Sequence, residues 1–134
     1  SGTRFDRELG AGPEAGWAEE LDQAIVPGGF GYREAVFFHV ASRTLILTDL
    51  VVNMEPEKLS VTGRLGARLT GTLAPNGKAP VYMRLIVKRK RDEASAAVSR
   101  MLSHEPARAV FSHGAWYRSD ATERLRRSLD WLLG

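Results

Sequence analysis

The sequence predicts an α/β layered domain with a central β-hairpin and flanking helices, and three observations carry the prediction. Two runs rich in β-branched and aromatic residues, Glu34–Val40 and Thr44–Val52, are separated only by Ala41-Ser42-Arg43, which suits an antiparallel hairpin and leaves no room for a crossover helix. Two later segments, starting near Asp92 and Asp120, repeat apolar residues at helical spacing. A short apolar run, Ala107–Ser112, lies between them and reads as a third strand. Both hairpin strands are apolar on both faces, which predicts packing above and below them.

Taken in order, residues 1–16 hold four Gly, one Pro and scattered charges without a sustained period, and read as an irregular arm. Ser1-Gly2, without an initiating Met, reads as a processing or cloning remnant and fits a chain that is part of a longer protein. Residues 17–134 form the single expected domain. Trp17, Leu21, Ala24 and Ile25 fall at helical spacing before Pro27-Gly28-Gly29, predicting a short helix ahead of the hairpin. Pro56–Leu73 carries Leu59, Leu65, Leu69 and Leu73 in a helical pattern diluted by Gly63, Gly66 and Gly71, each costing roughly 1 kcal/mol against Ala. Pro75-Asn76-Gly77 marks a turn, and Val81–Val87 fits a helix or a strand equally. Ala94, Ala97, Val98, Met101 and Leu102 form one face of a helix that Asp92 could cap and Pro106 follows. Asp120 with Glu123 makes a capping box for a last helix with an apolar face of Ala121, Leu125, Leu129 and Leu132.

Composition limits the chemistry. The 134 residues, 43% hydrophobic and 26% charged, suit one soluble domain. No window approaches the roughly 18 apolar residues of a membrane span, and no signal core follows a basic N-terminus, so a cytoplasmic protein without a membrane partner is expected. With no Cys, disulfides, thiolate zinc sites and a cysteine nucleophile are excluded, and any metal must be held by His39, His104, His113 or carboxylates. P-loop, dinucleotide-binding and Gly-x-Ser-x-Gly patterns are absent.

Asp49 and His113 are the candidate site. Leu45-Ile46-Leu47 carries Asp49 to the end of an apolar strand, where a desolvated carboxylate needs compensation: it reads as a turn cap satisfied by backbone N–H groups or Arg43, or as a metal ligand or an acid/base group. His113 ends the strand Val110-Phe111-Ser112, before a Gly that permits close approach. His104, after a helix, reads as a C-terminal charge or cap. The run Lys88-Arg89-Lys90-Arg91, preceded by Arg84, reads as a polyanion-binding patch that contacts phosphates of nucleic acid or acidic lipid or, more simply, as a solvated helix end, because no aromatics interleave it; nucleic acid is therefore not the expected partner.

The blocks Glu34–His39, Ser42–Leu50 and Arg108–Gly114, with their Phe-His, Ser-Arg-Thr-Leu, Thr-Asp-Leu and His-Gly elements, resemble an uncharacterised family related to the metallo-β-lactamase fold. The resemblance spans Trp17 to Leu133 and implies the C-terminal half of a four-layered αββα sandwich. It implies that Asp49 bridges two metals and that His113 binds one, with zinc or another divalent ion as cofactor. It also implies a metal-dependent hydrolase of ester, amide or phosphoester bonds. His39 belongs to the family block and is expected to pack or hydrogen-bond; it and Arg43 are candidates to support the ligands. The superfamily's early His-rich motif is absent, as is a histidine near Pro27-Gly28-Gly29, so the ligand set within this chain is incomplete. A half-sandwich leaves rows such as Val36, Phe38, Leu45 and Leu47 without a second sheet, which predicts a homodimer or a complementing N-terminal half. The alternatives are a non-catalytic binding or assembly module that has lost the metal site, and nucleic-acid binding through Lys88–Arg91.

Overall fold

In the computed structural model, which describes residues 19–134, strands β1 (Leu21–Pro27), β2 (Arg33–His39), β3 (Thr44–Ile46) and β4 (Arg108–Val110) form one sheet in the order β1-β2-β3-β4. The pairings β1–β2 and β2–β3 are antiparallel, and β3–β4 is parallel. The hairpin therefore stands where the sequence places it. A parallel neighbour needs a crossover. Here it contains a 3-10 turn, Pro56–Lys58, and helices α1 (Val61–Thr70), α2 (Val81–Lys88) and α3 (Arg91–Leu102). After β4 the chain ends in α4 (Ala121–Ser128) and α5 (Asp130–Leu133). The segment Val81–Val87, open between helix and strand on periodicity, is helical.

Side chains alternate across the sheet. Ala24, Val26, Val36, Phe38, Leu45 and Ala109 point to one face and are buried against Ala94, Val98, Met101 and Leu102 of α3 and Leu125, Leu129 and Leu132 of the last two helices. The predicted apolar face of the final helices is thus the buried one. On the opposite face Ile25, Ala35, Phe37, Ile46 and Val110 are half-buried. This reverses the expected exposure: Val36, Phe38, Leu45 and Leu47 are the covered rows, because the helices that pack on the sheet all lie on their side.

Other local expectations are corrected. Leu21–Ile25 is strand rather than helix, since seven residue pairs from Leu21 with His39 to Pro27 with Arg33 join β1 to β2. Sheet pairing overrides a short helical pattern. Trp17 and the arm over residues 1–16 lie outside the described residues. The strand from Thr44 ends at Ile46, although Leu47, Leu50, Val51 and Val52 stay buried as irregular chain. Lys90, not Asp92, occupies the N-cap of α3. Asp120 precedes α4 in the left-handed region, φ 50°, and its side chain makes no cap bond, while Glu123 pairs with Arg127 one turn on.

Helix α3 is tied to β1 by charge as well as by packing. Asp22 Oδ2 meets Arg100 Nη1 and His104 Nε2, each at 2.7 Å, and the His104 ring stacks on Phe38 with centroids 4.4 Å apart. His104 thus pairs across the fold instead of capping its helix. Burial pushes the Asp22 carboxyl up, but the His104 and Arg100 hydrogen bonds outweigh it and hold the group below the ordinary carboxylate range. Folding therefore favours the ionised form, a contribution present above the unfolded value and lost as pH falls through the depressed one. Asp22→Asn should lower unfolding free energy by about 1–2 kcal/mol at neutral pH. In urea titrations at decreasing pH, that difference should shrink once Asp22 protonates in the parent protein.

Candidate functional site

The C-terminal ends of the parallel strands β3 and β4 bring the two predicted site residues together. Beyond β3, the Leu47 N–H donates to the Val110 carbonyl at 2.9 Å, so the strands stay side by side as their ladder ends. Asn53 then clamps the following loops. Its N–H donates to the His113 carbonyl, its carbonyl accepts the Ala115 N–H, its Nδ2 donates to the Ala115 carbonyl, and its Oδ1 accepts the Gly77 N–H. Within this frame His113 Nε2 and Asp49 Oδ1 lie 3.8 Å apart. The close approach expected at the Gly after His113 is made by backbone, for Gly114 lies against the Asn53 main chain.

Neither Asp49 nor His113 is desolvated: their side chains are 45% and 62% exposed. The expected burial of Asp49 is thus corrected. The buried carboxylate of this region is Glu34, only 4% exposed. Its Oε1 accepts the Thr48 N–H at 2.5 Å, the Thr48 hydroxyl at 2.8 Å and the Asp49 N–H at 3.1 Å. Its Oε2 accepts the Tyr32 hydroxyl at 3.0 Å. These four donors satisfy a carboxylate that would otherwise be costly inside the fold. They also turn the chain at Thr48-Asp49, which stops β3 and directs the Asp49 side chain outward. Burial raises the Glu34 carboxyl above its ordinary value, with the Thr48, Tyr32 and Asp49 hydrogen bonds opposing it. Burial, and then the neighbouring Glu34 charge, raises the Tyr32 phenol far above its ordinary value, so Tyr32 remains a donor.

Sequence reasoning passed over Glu34, yet the signal was present. With Val36 and Phe38 on the core face, strand alternation puts Glu34 there too.

His39 and Arg43 are not at this site. His39 pairs in register with Thr44 at the start of β3, the opposite end of the strand from Asp49, and its Nδ1 lies 2.7 Å from Ser42 Oγ. Arg43, at φ 50°, reaches the Glu105 carbonyl. Antiparallel pairing separates both from Asp49, so neither supports the ligands or caps the turn. Arg43 instead lines an open cleft of about 590 Å³ with Arg108, Arg118 and Asp120. A smaller depression of about 350 Å³, lined by Glu55, Gly114, Ala115, Trp116 and Arg118, adjoins His113 in sequence. The run Lys88–Arg91 lies at the junction of α2 and α3. Two of its members are engaged within the fold: Arg89 lies 4.7 Å from the Phe30 ring centre, and Arg91 Nε donates to the Leu132 carbonyl.

Could the pair hold a metal? Ligand atoms each about 2.0–2.2 Å from one zinc stand roughly 3–4 Å apart, and a carboxylate oxygen with an imidazole nitrogen is a donor set that zinc and manganese accept. Asp49 and His113 fit that spacing. Among the described residues, however, no group of three or more His, Asp or Glu side chains converges.

No protein-family model, curated protein or solved structure matches the chain.

Proposed function

We propose that the chain is the C-terminal half of a metallo-β-lactamase-like, metal-dependent hydrolase, with Asp49 and His113 supplying two ligands of its metal centre. The observation that carries this reading is their convergence at the ends of adjacent parallel strands, on a turn fixed by buried Glu34. The remaining ligands come from a second copy or a complementing N-terminal half. That partner sits against the half-buried sheet face of Ile25, Phe37 and Ile46. A bound divalent ion would supply an activated water for attack on an ester, amide or phosphoester. Within this chain, Asp49 contributes an oxygen donor, His113 a nitrogen donor, and Glu34 holds the Asp49 backbone in place.

Calorimetric titration with zinc and manganese tests the reading. The parent chain should bind at least one of the two ions, and Asp49→Ala or His113→Ala should weaken that binding by about tenfold or more. Circular dichroism should stay unchanged, because both side chains are exposed and outside the core. Metal uptake indifferent to both substitutions would sink the proposal. One observation favours a second reading: the absence of a third convergent ligand among the described residues suits a non-catalytic assembly module. The homodimer or complemented protein would then bind no metal at this pair. Either reading suits a cytoplasmic setting.

A further inference from the structure

We propose that α1 and α2, with the Gly29–Phe30 turn beside them, form a surface that docks on an anionic lipid bilayer. The inference is independent of the metal-site reading and uses neither Asp49 nor His113. It starts from charge. Residues Leu59–Arg91 carry eight of the chain's 19 Lys and Arg and none of its 16 Asp and Glu. Lys78 pairs with Asp130. Arg64, Arg68, Arg84 and the run Lys88–Arg91 have no acidic partner among the described residues.

The same segment presents its apolar side chains outward. On α1, Val61, Leu65 and Leu69 recur every fourth residue and are 82%, 59% and 76% exposed, while only Ala67 is buried. An amphipathic helix normally turns this stripe toward the core. On α2, Tyr82 and Leu85 are exposed, and Phe30 is 84% exposed. Contacts join the three elements into one region. Arg84 Nη2 donates to the Thr70 carbonyl at the end of α1, 2.8 Å away, and the Gly29 N–H donates to the Ile86 carbonyl of α2 at 2.7 Å. Arg89 lies over the Phe30 ring.

An anionic bilayer uses both properties at once. Lys and Arg meet the headgroups, while Leu, Val, Tyr and Phe enter the boundary between headgroups and acyl chains. Nucleic acid would engage the cations and leave the aliphatic ridge in water. A second copy presenting the same face would oppose like charges across a two-fold axis. An acidic protein would need pockets for its anchoring side chains, whereas Val61, Leu65, Leu69 and Leu85 are exposed and line neither the Arg43 cleft nor the depression beside His113. Although no helix among the described residues is long and apolar enough to cross a membrane, surface docking requires none. The expectation of no membrane partner rested on the lack of a span and of a signal core, and surface docking needs neither.

Co-sedimentation with vesicles tests the proposal. Phosphatidylcholine vesicles containing about one-third phosphatidylserine should pellet the protein at low salt, and pure phosphatidylcholine should not. Raising salt to about 0.5 M should weaken binding by at least about tenfold. Lys88→Glu with Lys90→Glu should cost about tenfold or more, and Leu65→Gln with Leu69→Gln about fivefold, with circular dichroism verifying that both variants fold. No binding to the anionic vesicles would overturn the proposal. So would vesicle binding indifferent to Leu65 and Leu69 and matched on duplex DNA, which would mark a general polyanion patch. Binding of an amphipathic Glu/Leu peptide without vesicle binding would assign the surface to an acidic protein instead.

Discussion

Gly114→Ala should lower unfolding free energy by about 3–5 kcal/mol, enough to leave much of the protein unfolded if its total stability is of ordinary size. Two independent costs combine. Gly114 has φ +91°, a conformation that side chains disfavour, and an added Cβ would lie 2.0 Å from the Asn53 carbonyl oxygen. The obstacle is backbone and cannot rotate away. Nor can Asn53 retreat, because its backbone and amide hold the loop after β4 as well as Gly77. Urea unfolding of Gly114→Ala beside His113→Ala would separate the two neighbours: the first should shift the midpoint strongly, and the second hardly at all.

Glu34→Ala should cost a similar amount, about 3–4 kcal/mol, by stranding the four donors that converge on one carboxylate. Glu34→Gln keeps an acceptor for Thr48 and Asp49 and should cost much less. The comparison also gives a pH signature. Burial raises the Glu34 pKa above its ordinary value in the folded protein, so folding favours the protonated carboxyl. That contribution is complete below the unfolded value and is lost as pH rises through the raised one. The parent protein should therefore lose stability relative to Glu34→Gln across that window, as followed by urea midpoints at stepped pH. A constant offset between the two would mean that Glu34 titrates alike in both states.

The hairpin and the later helices were legible because each rests on short-range pattern. Three residues between strands fix antiparallel neighbours, and apolar residues at Leu125, Leu129 and Leu132 fix a buried helix face. What escaped depended on distant partners. Leu21–Ile25 has a helical pattern, and only β2 alongside makes it a strand. Which hairpin face is covered depends on where α3 docks, and no local spacing in β2 or β3 encodes that. Asp49 was expected to be buried because its strand is apolar. The turn that exposes it is made by a carboxylate fifteen residues earlier.

The parallel pairing of β3 with β4 also sets an order of assembly. Thr44 lies opposite Arg108, with roughly half the chain looped between them, so this pairing carries a far larger closure entropy than the β2–β3 hairpin. Contacts of such long sequence separation slow folding and form after local ones have reduced the search. Asp49 is positioned from the hairpin side, through Glu34, whereas His113 arrives only with β4. A nascent chain emerging N-terminal first thus exposes half of the pair well before the other half exists. Their juxtaposition is a late event, and it reports directly on completion of the crossover.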